Sequence, residues 1–219
     1  MTFSILGSGS VGQTIANALL KNGHEVILGS RSAENPKAQA WLATQNDRAS
    51  IGTFSDAAAR SEVIFLCLNG DKAIDALLLA GPDHFIGKTV VDLTNPLDFS
   101  KGFPPSLLGA YKDRSLAEAI QDTLPGAHVV KALNTLTAKL MVDPAAVNGG
   151  DHDLFVCGNV LAAKGQVNDL LATEFGWRKD NIHDLGDLSA ARASEAYVTF
   201  WARLMQSQGT PMFNVKVVR

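Results

Sequence analysis

A glycine-rich turn close to the start of the chain constrains its fold more than any other feature. A short β-prone segment, residues 2–6, leads directly into Gly7-Ser8-Gly9-Ser10-Val11-Gly12. The apolar residues that follow recur at helical spacing. They are Val11, Ile15, Ala18 and Leu19. This glycine spacing between a strand and a helix predicts a site for the diphosphate of a dinucleotide.

Each glycine of this turn has a separate physical task. Gly7 permits the tight turn, Gly9 lets the diphosphate approach the backbone, and Gly12 lets the helix pack closely on the strand. The backbone N–H groups and the positive end of the helix dipole then face the anion. We therefore expect the cofactor to contact the whole turn, including Ser8, Ser10 and Val11.

The second predicted strand ends in residues that favour a phosphorylated cofactor. It is followed by Ser30, Arg31 and Ser32, where an NAD-specific protein usually has a carboxylate for the ribose hydroxyl. A guanidinium group is a permanently charged, planar partner for phosphate, and the two serines add hydroxyl donors. This pattern predicts NADP(H). Glu34 lies close enough in the sequence to keep NAD as the alternative.

The composition is that of a globular protein without nucleic-acid or membrane-binding character. Of 219 residues, 46% are hydrophobic and 19% are charged, and the formal net charge is −3. No basic face, membrane-length apolar run, secretion signal or metal-ligand cluster is evident. Cys67 and Cys157 lie in apolar runs and are interpreted as core residues. We expect a cytoplasmic protein that binds neither nucleic acid nor membranes nor a metal.

Strand-like and helix-like segments alternate along the chain. The predicted strands are residues 2–6, 25–28, 50–54, 62–68, 88–93, 127–133, 153–157 and 181–185. The predicted helices are residues 10–22, 36–46, 55–60, 71–80, 115–124, 135–142, 160–175 and 189–206. Ser115-Leu116-Ala117-Glu118 has the spacing of a capping box and predicts the start of one of these helices. The alternation predicts an α/β fold of Rossmann type, a doubly wound, mostly parallel sheet with a C-terminal helical extension. Residues 1–186 would form the NADP-binding domain, and residues 187–219 a helix and tail that pack on it or on a second subunit.

Residues at the ends of the fourth, fifth and sixth predicted strands are candidates for the nicotinamide site. Leu68-Asn69, Asn95-Pro96 and Asn134 occupy these ends. Ligands of such folds bind at the carboxyl edge of the sheet, and an amide side chain can match a carboxamide or a ribose hydroxyl. The long connection over residues 95–112 is rich in proline and aromatic residues, and we expect it to form a wall against a flat ring.

No acid–base pair or nucleophile stands out, so we predict no catalytic side chain. Hydride transfer between two stacked rings needs positioning rather than a protein nucleophile. Two alternatives stay open. One is a non-catalytic NADPH-binding sensor or partner subunit, and the other is a reductase of a small imine or hydroxy acid. The short segment after Asp187 argues against the second alternative, because those enzymes need a large helical second domain.

Several motifs beyond the first turn together resemble one family. They are Gly29-Ser30-Arg31, Thr94-Asn95-Pro96, Val129-Val130-Lys131-Ala132-Leu133-Asn134-Thr135, Val156-Cys157-Gly158 and Asp184-Leu185-Gly186-Asp187-Leu188-Ser189-Ala190-Ala191-Arg192. In these motifs the chain resembles the NADPH-dependent reductases of the 8-hydroxy-5-deazaflavin coenzyme F-420. It is more distantly similar to the NADPH-oxidising domain of the STEAP metalloreductases.

The resemblance implies NADP(H) binding and hydride exchange with a flavin-like ring, either the deazaflavin or FMN/FAD, in a homodimer. It places the 2′-phosphate on Ser30, Arg31 and Ser32. It places the nicotinamide near Asn69, Asn95, Pro96 and Asn134, with a small-molecule acceptor over it. Asn159-Val160 stands where family members often have two acidic residues, and we expect Asn159 to cap the following helix. The sequence shows no clear basic patch for the acidic tail of the deazaflavin.

Overall fold

The computed structural model of the chain describes residues 1–218. Within them the strands are β1 (Thr2–Leu6), β2 (Glu25–Ser30), β3 (Ala49–Thr53), β4 (Val63–Leu66), β5 (Thr89–Asp92), β6 (Leu97–Asp98), β7 (Ser106–Leu107), β8 (His128–Lys131), β9 (Leu154–Gly158) and β10 (Ile182–Asp184). The α-helices are α1 (Ser10–Lys21), α2 (Pro36–Leu42), α3 (Phe54–Arg60), α4 (Ala73–Ala80), α5 (Leu116–Thr123), α6 (Ala138–Val142), α7 (Leu161–Phe175) and α8 (Ala191–Gln208). Every strand and helix predicted from the sequence has a counterpart among them.

The main sheet has the strand order β10-β9-β8-β5-β4-β1-β2-β3. The strands from β3 to β8 in this order run parallel to one another. At the other edge β9 runs antiparallel to β8, and β10 is parallel to β9. The order turns back between β1 and β4, which is where ligands bind in such sheets. The predicted Rossmann-type, mostly parallel fold with a C-terminal helix is confirmed.

Each face of the sheet has its own hydrophobic core. In β4, Val63 and Phe65 join the core beneath α1, α6 and α7. Ile64 and Leu66 point the other way and join the core beneath α3, α4 and α5. Because successive side chains of a strand point to opposite faces, a strand covered on both sides must be apolar throughout.

Local signals at helix starts gave one confirmed and one wrong prediction. The predicted capping box at the start of α5 is present, because Ser115 Oγ accepts from the backbone N–H of Glu118 and Glu118 accepts from that of Ser115. Asn159 does not cap α7. The N-cap residue there is Val160, and Asn159 Oδ1 instead accepts from the backbone N–H of Leu188 at 2.9 Å. A tertiary contact with the C-terminal segment therefore replaces the expected local one.

The long connection after β5 is more regular than the sequence indicated. The short strands β6 and β7 pair antiparallel within it, with Leu97 opposite Leu107. The backbone N–H of Leu108 also donates to the carbonyl oxygen of Pro96 at 2.8 Å. These bonds fold residues 97–107 into a hairpin, which we call the β6–β7 hairpin.

Gly12→Ala tests the close contact between α1 and the turn before it. A Cβ atom at this position would lie 2.0 Å from the carbonyl oxygen of Gly7. Since a backbone atom cannot move aside cheaply, we expect the free energy of unfolding to fall by about 1–3 kcal/mol in urea titrations. The matched control is Gly165→Ala in α7, where the added Cβ meets no atom within 4 Å. That change should raise stability by about 0.5–1 kcal/mol, and equal effects at both sites would contradict the packing argument.

Candidate active site

The glycine-rich turn joins β1 to α1 at the carboxyl edge of the parallel strands. Gly7 has a φ of +127°, and a Cβ atom on it would lie 2.2 Å from the carbonyl oxygen of Cys67. Gly12 is equally constrained by its contact with the turn. A Cβ atom on Gly9, in contrast, would meet no protein atom within 4 Å. The outer glycines are therefore required by the turn itself, while Gly9 faces open space.

The start of α1 beside this space is an uncapped helix terminus. Gly9 is its N-cap residue, no side chain accepts a hydrogen bond there, and the first turn contains no acidic residue. The first N–H groups of a helix have no intrahelical acceptor, and they lie at the positive end of the helix dipole. This arrangement suits a phosphate group.

A cleft of ≈ 660 Å³ extends from the turn toward the end of β2, and we call it the first cleft. Ser8, Gly9, Ser30 and Arg31 line it, as the sequence predicts for a nucleotide. Its other walls combine cationic and apolar side chains. These are Lys37, Lys72, Phe54, Ala76 and Leu79, and Asp75 adds one carboxylate to the lining. With three cations against one carboxylate, the first cleft therefore offers net positive charge next to an apolar surface that suits a purine ring.

The two serine hydroxyl groups between β2 and α2 both donate hydrogen bonds within this segment, but to different acceptors. Ser30 is buried, and its Oγ donates to the carbonyl oxygen of Ser32 at 2.6 Å. Ser32 Oγ donates to the carboxylate of Glu34 and does not line the first cleft. This bond and the Glu34 backbone N–H lower the pKa of Glu34, which is ionised at neutral pH. The exposed guanidinium group of Arg31 thus stands in the cleft, and the Ser32 hydroxyl is turned away from it.

A second cleft of ≈ 560 Å³ adjoins the first and shares Leu68 and Asn69 with it. Val11 and Asn95 also line the second cleft. The β6–β7 hairpin supplies its far wall. That wall includes Leu97, Phe99 and Leu108. The aromatic wall predicted from the sequence thus faces the ends of β4 and β5, and Phe99 is 57% exposed.

Asn95 and Asn134 bind each other, so only one of them faces the second cleft. Asn95 Nδ2 donates to the carbonyl oxygen of Asn134 at 2.8 Å, and Asn134 Nδ2 donates to Asn95 Oδ1 at 2.9 Å. Asn134 is buried behind this pair and does not line the cleft, and neither does the buried Pro96. The preceding residue, Leu133, has the left-handed φ of +63°, which is unfavourable for leucine. The structure thus brings Asn69 and Asn95 to the cleft and uses Asn134 to hold Asn95.

A buried ionic network lies beneath these strand ends. Lys131 Nζ donates to Asp92 at 2.9 Å, to Glu195 of α8 at 2.8 Å and to the carbonyl oxygen of Thr94 at 2.5 Å. All three charged side chains are at most 2% exposed. Burial disfavours the ammonium ion, but the two carboxylates outweigh this effect and raise the pKa of Lys131. The network therefore fixes the backbone that leads directly into Asn95.

Known proteins that are similar to this chain agree with this geometry. Residues 2–96 match the family model described as NADP oxidoreductase, coenzyme F420-dependent. The F420-dependent NADP reductase of Methanocaldococcus jannaschii is 32% identical over 90% of this chain and 88% of its own length. This chain belongs to the F420-dependent NADP oxidoreductase family. It is an NADP-dependent oxidoreductase.

Two further relatives of this oxidoreductase differ in how much of their length it spans. A crystal structure described as a candidate F420-dependent NADP reductase from Arthrobacter sp. FB24 is 42% identical, covers 100% of both chains and has a TM-score of 0.93. Metalloreductase STEAP3 of Rattus norvegicus is 31% identical over 88% of this chain, which spans only 35% of the metalloreductase. Within residues 1–218 of the oxidoreductase, no helix combines the length and the apolar character needed to cross a membrane.

Some residues of the oxidoreductase's clefts have no clear sequence signal. Lys37 and Lys72 reach the first cleft from α2 and from the turn before α4, and neither lies in a motif. Glu195 is 64 residues from Lys131, and its helix position alone gives no sign that it is buried. Lys131 lies in a largely apolar strand, and a lysine in such a strand is a sequence signal of a buried ion pair.

Lys131→Met tests whether the buried network supports the active site of the oxidoreductase. The substitution leaves the Asp92 and Glu195 carboxylates without their cation, and we expect the free energy of unfolding to fall by about 3–5 kcal/mol at neutral pH. Lys179→Met is the control, because its 2.6 Å pair with Asp169 is about two-thirds exposed and should contribute less than about 1 kcal/mol. Equal losses in the two variants would contradict the role of the network.

Proposed function

We propose that the protein transfers a hydride between NADP(H) and a flavin-like acceptor, either 8-hydroxy-5-deazaflavin or FMN/FAD. The observation that carries this proposal is the continuity of the two clefts through Leu68 and Asn69. One cleft has the phosphate-binding features, and the other has an aromatic wall and no cationic side chain in its lining. A single dinucleotide that spans both would bring its redox ring to the second cleft.

The residues of the first cleft fit the adenosine half of the cofactor. The diphosphate would lie in the open space in front of Gly9, at the uncapped start of α1. Arg31 would bind the 2′-phosphate, with further positive charge from Lys37 and from Lys72, whose ammonium group lies 3.6 Å from the Asp71 carboxylate. The apolar side chains of Phe54 and Leu79 would cover the adenine. Ser30 and Ser32 are weaker candidates for the 2′-phosphate than the sequence indicated, because their hydroxyl groups already donate to the Ser32 carbonyl oxygen and to Glu34.

The residues of the second cleft fit two flat rings in contact. The nicotinamide would lie against Val11 with Asn69 and Asn95 at its polar edge, and the acceptor would lie against Phe99. In the reaction NADPH supplies a hydride, and the ring that accepts it takes its proton from solvent. The protein's part is to hold the two rings in reactive contact.

No covalent step through the protein is needed for this reaction. Both cysteines are free, and burial raises the pKa of the Cys157 thiol to about 12 and that of Cys67 even further. Both thiols are therefore protonated near neutral pH and are poor nucleophiles. Bleaching of NADPH absorbance with the deazaflavin, FMN or FAD as acceptor tests the proposal. Binding of NADPH without turnover of any acceptor would favour a sensor or partner subunit instead.

Arg31→Ala tests the choice of cofactor. Loss of a charged partner for the 2′-phosphate should weaken NADPH binding by about 1–3 kcal/mol and leave NADH binding nearly unchanged, as measured by calorimetric titration. Arg60→Ala is the control, because Arg60 is an exposed arginine in the last turn of α3 and lies outside both clefts. If Arg31→Ala weakened both nucleotides equally, Arg31 would not be the 2′-phosphate ligand.

Phe99→Ala tests the position of the acceptor ring. Removal of the exposed aromatic wall should raise the KM for FMN by about three- to tenfold, since stacking of two aromatic rings contributes about 0.5–1.5 kcal/mol. Phe99→Tyr keeps an aromatic ring at this position and should retain the wild-type KM for FMN. The KM for NADPH should change less than twofold in both variants. A larger effect on NADPH than on FMN would place the nicotinamide, rather than the acceptor, against the hairpin.

A further inference from the structure

A groove beyond the second cleft carries unpaired positive charge, although the formal net charge of the whole chain is −3. It has a volume of ≈ 920 Å³ and lies between the β6–β7 hairpin and α8. Lys101 and Lys112 reach it from the segment around the hairpin, and Arg203 reaches it from α8. Within residues 1–218 none of these three has a carboxylate within 4 Å, so their charge is available to a ligand.

The groove adjoins the space assigned to the acceptor ring. Asp98 lines both the groove and the second cleft. Phe99 and Ser100, which directly follow Asp98 in the chain, face the second cleft, and Lys101 faces the groove. A molecule whose ring rests on Phe99 can therefore continue along the hairpin into the groove.

The charged residues that line the second cleft differ in sign from most of those that line the groove. The charged residues that line the second cleft are Asp71 and Asp98, which would repel phosphate or carboxylate groups. The groove has three cations against the single carboxylate of Asp98. The Asp98 carboxylate also accepts from the backbone N–H of Ser100 at 2.8 Å, and that bond helps to lower its pKa. A ring with an anionic tail is thus accommodated with its ring in one space and its tail in the other.

We propose that Lys101, Lys112 and Arg203 bind the anionic tail of the hydride acceptor and so select tailed acceptors over the bare ring. This inference rests on the proposed function of the second cleft. The tail chemistry is phosphate or carboxylate attached beyond the ribityl chain, as in FMN, FAD and the deazaflavin coenzyme. Exposed cations at such a site each contribute a modest, salt-sensitive share of the affinity for an anionic tail, and a neutral acceptor gains none of it.

The test compares acceptors that share a ring and differ in charge. Riboflavin and FMN differ only in the terminal phosphate, and the deazaflavin coenzyme carries a longer anionic tail. In the wild type we expect a lower KM for FMN than for riboflavin, and the advantage of FMN should shrink as salt is raised. In the triple variant Lys101→Gln, Lys112→Gln, Arg203→Gln, the KM for FMN should rise about tenfold. The KM for riboflavin and for NADPH should change less than twofold.

Lys139→Gln is the matched control, because Lys139 is an exposed lysine of α6 that lines none of the three spaces. Quenching of FMN or deazaflavin fluorescence in the presence of NADP⁺ measures binding without turnover. Loss of that binding in the triple variant but not in Lys139→Gln supports the assignment of the groove, even if no acceptor is reduced. In that case only the proposed function would be contradicted. Equal affinities for riboflavin and FMN in the wild type, or parallel losses for both in the triple variant, would overturn the assignment of the groove.

Discussion

The two buried ion pairs of the Lys131 ammonium group are the interaction on which the strand ends at the active site depend. This group joins β8 to Asp92 of β5 and to Glu195 of α8, and all three side chains are removed from water. One cation between two carboxylates would leave a net negative charge in the interior. Glu195 also accepts from the backbone N–H groups of Leu116 and Ala117 at the start of α5, at 2.8 and 3.1 Å. The positive end of that helix therefore supplies the remaining compensation.

The loops above this network are held by direct contact with one another. A Cβ atom on Gly70 would lie 2.1 Å from the carbonyl oxygen of Asn95, and Asn95 is bonded to Asn134 from the neighbouring strand. These contacts also hold Leu133 in the left-handed region. Its side chain is fully buried, and the next residue, Asn134, is held by two hydrogen bonds with Asn95. A site assembled in this way needs little rearrangement when two rings must meet at a defined distance.

Structural features that depend on local sequence patterns could be predicted from the sequence. Contacts between segments that are distant in the chain could not. The strands could be predicted because a sheet covered on both faces demands continuous apolar runs, and the Ser115 capping box because it spans only four residues. Asn159 has the chemistry of a helix cap, yet it binds Leu188, which is 29 residues away. The basic groove was missed for the same reason, because Lys101 and Arg203 become neighbours only when α8 packs beside the β6–β7 hairpin. Residue type predicts what a side chain can bind, whereas the tertiary fold decides which partner it meets.

The three binding spaces also differ in the charge that the proposed reaction requires. Phosphate groups belong at the two ends, where the first cleft and the groove provide cations. The redox step belongs between them, where Asp71 and Asp98 are the charged lining residues. When a hydride leaves NADPH, the nicotinamide ring becomes a cation, and carboxylates nearby stabilise charge of that sign as it develops. Under the proposed function, the separation of basic ends from an acidic middle would let the protein bind two anionic molecules and keep their phosphate groups away from the two rings that exchange the hydride.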